Sequence, residues 1–112
     1  MITLVLGGSR SGKSEVAERL ASRRSDNGPV TFVATAVVDG TDPDFAARID
    51  AHRRRRPAAW TTVEAGAELV AAIRTAPGQL LIDSLGTWVA AAPEFAVDVN
   101  ALVDALRERA GR

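Results

Sequence analysis

The chain of 112 residues has no cysteine, a single histidine and few aromatic residues: two tryptophans, three phenylalanines and no tyrosine. Without cysteine there is neither a disulfide nor a thiolate metal site. Lysine plus arginine equals aspartate plus glutamate at 14 each, giving a formal net charge of zero. That balance removes any whole-chain attraction to nucleic acid or to an anionic membrane. No stretch approaches the ~20 consecutive apolar residues that a membrane helix needs. The opening apolar run, residues 2–6, is too short for a signal peptide and no basic segment precedes it. These absences leave a cytoplasmic protein with no nucleic-acid or membrane partner. What is present fits one soluble domain over residues 1–112, with 46% hydrophobic and 25% charged residues.

The strongest positive signal is Gly7-Gly8-Ser9-Arg10-Ser11-Gly12-Lys13-Ser14. It matches the phosphate-binding loop pattern G-x-x-x-x-G-K-[ST] at every fixed position. Its context also fits: residues 2–6 read as a buried strand and residues 14–24 as a helix. Glycines let the backbone fold around a polyphosphate, and the following helix presents its positive end. Lys13 is then expected at the β/γ-phosphates, and the Ser14 hydroxyl on Mg²⁺.

Two further apolar runs, residues 30–34 and 79–83, read as parallel core strands. Residues 60–64 read as a short strand or an extended connection. Between them lie helical patterns. Residues 14–24 carry an apolar stripe of Val16, Ala17, Leu20 and Ala21. A helix is expected from Asp42-Pro43 through Phe45, Ile49 and His52, stopping before Pro57. Another is expected over 67–75, and a last one over 99–109 with Asp98 as its cap. Strands alternating with helices imply an α/β fold, a P-loop NTPase-like, mainly parallel sheet with flanking helices. Ligands bind at the carboxyl ends of such strands. That brings the segment from Thr35 to Asp39 and the segment from Asp83 to Trp88 beside the phosphate loop.

Asp83 ends the run Leu80-Leu81-Ile82-Asp83, the Walker B arrangement in which a strand-tip carboxylate holds Mg²⁺. The plainer alternative is an aspartate that caps a loop. His52 shares a helical face with Phe45 and Ile49. It reads either as a partly buried, hydrogen-bonded histidine or as a nucleophile or general base. The run Arg53-Arg54-Arg55-Arg56 rotates by about 100° per residue, so the four cannot share one face. Either it is a solvated helix end or one or two members meet phosphate. Trp60 and Trp88 suit core packing or stacking on a flat ligand. Glu64 suits a base edge or the cap of the following helix.

In combination these stretches resemble one family. The carriers are the G-G-x-R-S-G-K-S loop, Ala34-Thr35-Ala36, and Arg48-Ile49-Asp50-Ala51-His52-Arg53. To these add Arg56-Pro57-Ala58-Ala59-Trp60-Thr61-Thr62-Val63-Glu64 and Leu81-Ile82-Asp83-Ser84-Leu85-Gly86-Thr87-Trp88. The family is the bifunctional adenosylcobinamide kinase / adenosylcobinamide-phosphate guanylyltransferase of cobalamin biosynthesis. The resemblance runs from residue 1 to about residue 90. It implies that ATP or GTP phosphorylates the aminopropanol hydroxyl of adenosylcobinamide. It further implies that GMP passes from GTP to that phosphate through a guanylylated histidine, the role that falls to His52. Some members carry two adjacent histidines here, where this chain has Ala51 before His52. The nucleotide-binding set implied is residues 7–14 with Thr35, Arg53 and Glu64, and the Mg²⁺ set is Ser14 and Asp83. A homotrimer is implied where the C-terminal part of the fold is present. Family members are longer, so the chain reads as lacking the later strands and C-terminal helices. The rival readings are a small-molecule P-loop kinase with another acceptor, which has no use for His52, and a nucleotide-binding fragment without catalysis.

Overall fold

The computed structural model describes residues 2–6, 12–25, 29–35, 43, 44, 47, 51, 54, 56 and 60–110. Within them a three-stranded parallel sheet carries helices on both faces. Helix α1 (Lys13–Arg24) is followed by strand β1 (Val30–Ala34), strand β2 (Thr61–Glu64) and helix α2 (Leu69–Thr75). Strand β3 (Gln79–Asp83), helix α3 (Leu85–Ala91) and helix α4 (Val99–Ala110) complete the order. The strands lie in the order β2-β1-β3, so the central strand is β1. Its pairing runs Val30 to Gln79 and Ala34 to Asp83 on one side, and Ala34 to Glu64 on the other.

Alternation along the strands sorts the core into two layers. Val33 of β1, with Leu80 and Ile82 of β3 beside it, faces α2, α3 and α4. There Leu69, Ala72, Ile73, Trp88, Leu102 and Ala105 form the larger apolar cluster. Val30, Phe32 and Leu81 face the other way, onto Ala21 of α1, with Ala17, Ala34 and Trp60 at the margin. Trp88 is 7% exposed and belongs to the core, the packing use rather than the stacking one. Arg56 lies on the α1 side. Its guanidinium carbon stands 3.3 Å from the Phe32 ring centre, and its Nη1 donates to Thr62 Oγ1 at 3.0 Å. Here the last arginine of the basic run covers an aromatic ring, rather than simply facing solvent or phosphate.

The first strand expected from sequence departs from this picture. Residues 2–6 are described, but they are not a strand. Ile2, Leu4 and Leu6 are 58%, 67% and 82% exposed. A strand is made by its ladder partners as much as by its own residues, and this run has none among the described residues. Val16 of the expected α1 stripe is also exposed, whereas Ala21 is buried. Of the helix expected from residue 42, Pro43, Asp44, Ala47, Ala51 and Arg54 are helical, Arg56 is in a bend, and the rest lies outside the described residues. Helix α3 has no counterpart in the sequence reading. It is seven residues long with no charged member, so no polar face marks it, and its signal is the cap: Thr87 N–H donates to Ser84 Oγ at 3.3 Å. The Asp98 cap is present, with Ala101 N–H donating to Asp98 Oδ1 at 2.9 Å.

The amino end of β3 is fixed by a residue far away in sequence. Arg109 of α4 reaches the end of α2 and donates to the carbonyls of Ile73 (2.8 Å), Ala76 (2.6 Å) and Gly78. Carbonyls in the last turn of a helix have no partner within the helix. A guanidinium, with its several donors in a planar fork, can serve at once a carbonyl of the last turn, that of the cap residue Ala76 and that of Gly78 in the turn beyond. Thr31 adds a bond from its hydroxyl to the Pro77 carbonyl at 3.0 Å.

Candidate nucleotide and metal site at the carboxyl edge of the sheet

The register aligns the three strand ends. Ala34 pairs with Glu64 on one side and with Asp83 on the other. With strands about 4.8 Å apart, the Glu64 and Asp83 backbones stand about 10 Å apart across Ala34. Parity of the strands puts both residues on the α1 side of the sheet, the side of Phe32 and Leu81.

Helix α1 begins at this edge. Gly12, at its cap, has φ +80°, a left-handed conformation that favours glycine over any residue with a Cβ. Its carbonyl accepts from Val16 N–H at 3.1 Å and so opens the helix. Lys13 and Ser14 follow as the first helical residues, both half-buried. Ser14 Oγ donates to Asp83 Oδ2 at 3.2 Å, across 69 residues of sequence. The two residues assigned to Mg²⁺ from separate motifs are therefore adjacent in space.

Asp83 is half-buried, and the backbone around it is pinned. Thr35 N–H donates to the Asp83 carbonyl at 3.1 Å. Thr35 Oγ1 accepts from Ser84 N–H at 2.9 Å and donates to the Ser84 carbonyl at 2.7 Å. Thr35 is fully buried, with 0% exposure. The structure thus gives this residue a different part from the nucleotide contact expected of it: its hydroxyl is engaged with Ser84, inside the fold. Ser84, which the sequence did not mark as a site residue, joins Thr35 on one side and caps α3 on the other. Glu64 is exposed at the same edge. Ala65 stands at the N-cap position of the turn that follows Glu64.

Five of the loop residues, Gly7, Gly8, Ser9, Arg10 and Ser11, lie outside the described residues, as do His52 and Arg53. What the described part brings together is Gly12, Lys13, Ser14, Thr35, Glu64 and Asp83, on one edge of a parallel sheet. Among the described residues no group of three or more His, Cys, Asp or Glu could hold a metal. Ser14 and Asp83 offer one hydroxyl and one carboxylate in contact. Such hard oxygen donors suit Mg²⁺, which takes one or two carboxylates and completes its shell with phosphate and water. Among the described residues no helix is long and apolar enough to cross a membrane.

Comparison with known proteins gives the arrangement a family. The bifunctional adenosylcobalamin biosynthesis protein CobP of Pseudomonas aeruginosa is 44% identical over 92 residues, 80% of this chain and 51% of the relative. The bifunctional adenosylcobalamin biosynthesis proteins CobU of Escherichia coli and Salmonella typhimurium are 47% and 45% identical over 64 residues, each match covering 57% of this chain and 33% of the relative. The chain thus spans about half the length of the first relative and a third of the other two. No solved structure matches it significantly. The family model described as cobinamide kinase / cobinamide phosphate guanyltransferase matches residues 3–110, and the chain belongs to that family.

Proposed function

We propose that the chain carries the nucleotide site of a bifunctional transferase that phosphorylates adenosylcobinamide and then transfers GMP to the phosphate. The observation that carries this reading is the Ser14–Asp83 contact at the head of α1, at the carboxyl edge of a parallel sheet. Family membership supplies the substrates. In the first reaction the acceptor hydroxyl oxygen attacks the γ-phosphorus of ATP or GTP. The bond to the β-phosphate oxygen breaks, and the hydroxyl proton leaves with the nucleoside diphosphate or to solvent. Lys13 and the loop at residues 7–12 hold the polyphosphate in line for that attack. Ser14 and Asp83 would hold Mg²⁺, which when bound neutralises charge on the phosphate oxygens.

In the second reaction a ring nitrogen of His52 attacks the α-phosphorus of GTP and pyrophosphate leaves. An oxygen of the cobinamide phosphate then attacks the same phosphorus, forming adenosyl-GDP-cobinamide and returning the imidazole. Splitting the exchange in two lets one binding site present the same α-phosphorus to two positioned nucleophiles in turn. Arg53 and Glu64 belong to the nucleotide surface in this reading. A cytoplasmic location and a homotrimeric assembly are parts of the same proposal.

Incubation with GTP labelled on the α-phosphate, with Mg²⁺, tests it. The expected result is an acid-labile, base-stable label of GMP mass on His52, absent from His52→Ala. Phosphorylated product without protein label would instead favour a kinase with another acceptor. Reversible GTP binding with neither would leave a binding domain.

A further inference from the structure

We infer that Thr35 is a positioning residue for the metal-binding carboxylate of Asp83. The inference rests on the assignment of Ser14 and Asp83 to the metal–nucleotide site. Three hydrogen bonds from one residue bracket the peptide that follows Asp83. The Thr35 amide holds the Asp83 carbonyl at 3.1 Å, and its hydroxyl holds the Ser84 N–H at 2.9 Å and the Ser84 carbonyl at 2.7 Å. The first two partners are the two ends of one peptide group. Fixing that group restricts the backbone torsion of Asp83, and with it the direction of the Cα–Cβ bond that carries the carboxylate. The first of the three bonds extends the β1–β3 ladder one residue past its paired end at Ala34 and Asp83. The two from the hydroxyl go further, to the next residue, where no backbone pairing continues.

The chemistry of the side chain matters here. A hydroxyl can donate and accept at once, and both directions are used on Ser84. Valine has the same shape and can do neither, which would leave the Ser84 N–H facing a methyl group, while the Ser84 carbonyl would keep only its bond from Trp88 N–H at 3.2 Å. Serine keeps the hydroxyl and loses only a methyl. A carboxylate left free to rotate still carries its charge but meets the metal in fewer of its orientations. The loss should therefore fall on metal-dependent binding and leave metal-free nucleotide binding alone.

The test compares the parent chain with Thr35→Val, Thr35→Ser and Asp83→Asn. GTP affinity is titrated without metal and over a range of Mg²⁺ concentration, and hydrogen exchange at the Ser84 amide is followed with neither ligand present. For Thr35→Val the Mg²⁺ concentration giving half-maximal enhancement should rise on the order of tenfold, the usual effect of freeing an outer partner of a metal ligand. Metal-free affinity should stay at the parent value, and the Ser84 amide should exchange faster. Thr35→Ser should restore both. If Thr35→Val does not fold, Thr35→Ala carries the same expectations. A parental Mg²⁺ dependence in Thr35→Val beside a lost one in Asp83→Asn would overturn the role of Thr35 and leave the site standing. An equal loss with and without metal, not rescued by serine, would overturn it as well, in favour of a purely architectural threonine. No change in Asp83→Asn would remove the site assignment, and the role of Thr35 with it.

Discussion

At its amino end, β3 is held by Arg109 and Thr31, which donate to the carbonyls around the α2–β3 turn. At its carboxyl end it is held by Thr35, whose bonds surround the Asp83–Ser84 peptide. The amino clamp binds backbone just before β3 and the carboxyl clamp binds backbone at its last residue and the next, both through residues distant in sequence. Yet only the carboxyl clamp sits against residues that suit a ligand, Ser14 and Asp83. The amino clamp satisfies helix-end carbonyls and ties α4 to α2. The comparison separates two uses of the same bond: one end is built to stay, the other to hold a carboxylate in place.

Breaking the amino clamp should give the largest effect, and on stability alone. Arg109→Ala removes the donor from three carbonyls, at a cost of about 2–3 kcal/mol for hydrogen bonds from a charged group. For a domain of this size that lowers the thermal midpoint by roughly 10–20 °C. Below that midpoint, GTP affinity should match the parent. Arg109→Lys should recover only part of the loss, because one ammonium cannot span the fork. A melt unchanged in Arg109→Ala would show that the clamp contributes nothing.

Lys13→Ala should do the reverse. Its side chain is expected to meet the phosphates with a charge-assisted bond worth about 2 kcal/mol, so nucleotide affinity should fall about thirtyfold. Alanine is the best helix former and the position opens α1, so the thermal midpoint should move little. Undiminished GTP binding in this variant would remove the loop from the site.

How much of this was legible in the sequence follows the range of the forces involved. The strands 30–34 and 79–83 have the ends expected of them, because continuous apolar runs bounded by Pro29 and Gly78 leave little choice. Helices α1 and α4 fall within a residue of expectation, since periodicity and the Asp98 cap are local signals. Helix α3 was not legible, because its face is decided by Trp88 entering a core made by α2 and α4. Residues 2–6 read as a strand on apolar content alone, and content does not supply a ladder partner. Within the site, Ser14 and Asp83 were legible through their motifs. The part played by Thr35 was not: its partner lies 49 residues away, and a threonine after a strand carries no sign of which carbonyl it will meet. Arg109 was hidden for the same reason, and Arg56 was read as one of four like charges until Phe32 came under it.

The most direct measurement is a magnesium titration of GTP binding in Asp83→Asn, run beside Arg109→Ala and the parent. The account predicts that Asp83→Asn loses the Mg²⁺ enhancement, a larger effect than the roughly tenfold shift expected of Thr35→Val, with its metal-free affinity kept, while Arg109→Ala titrates as the parent does. An Asp83→Asn protein that is folded, binds GTP and shows the parental Mg²⁺ dependence would contradict it and send the search for the metal-binding acid elsewhere on the sheet edge, to Glu64 first.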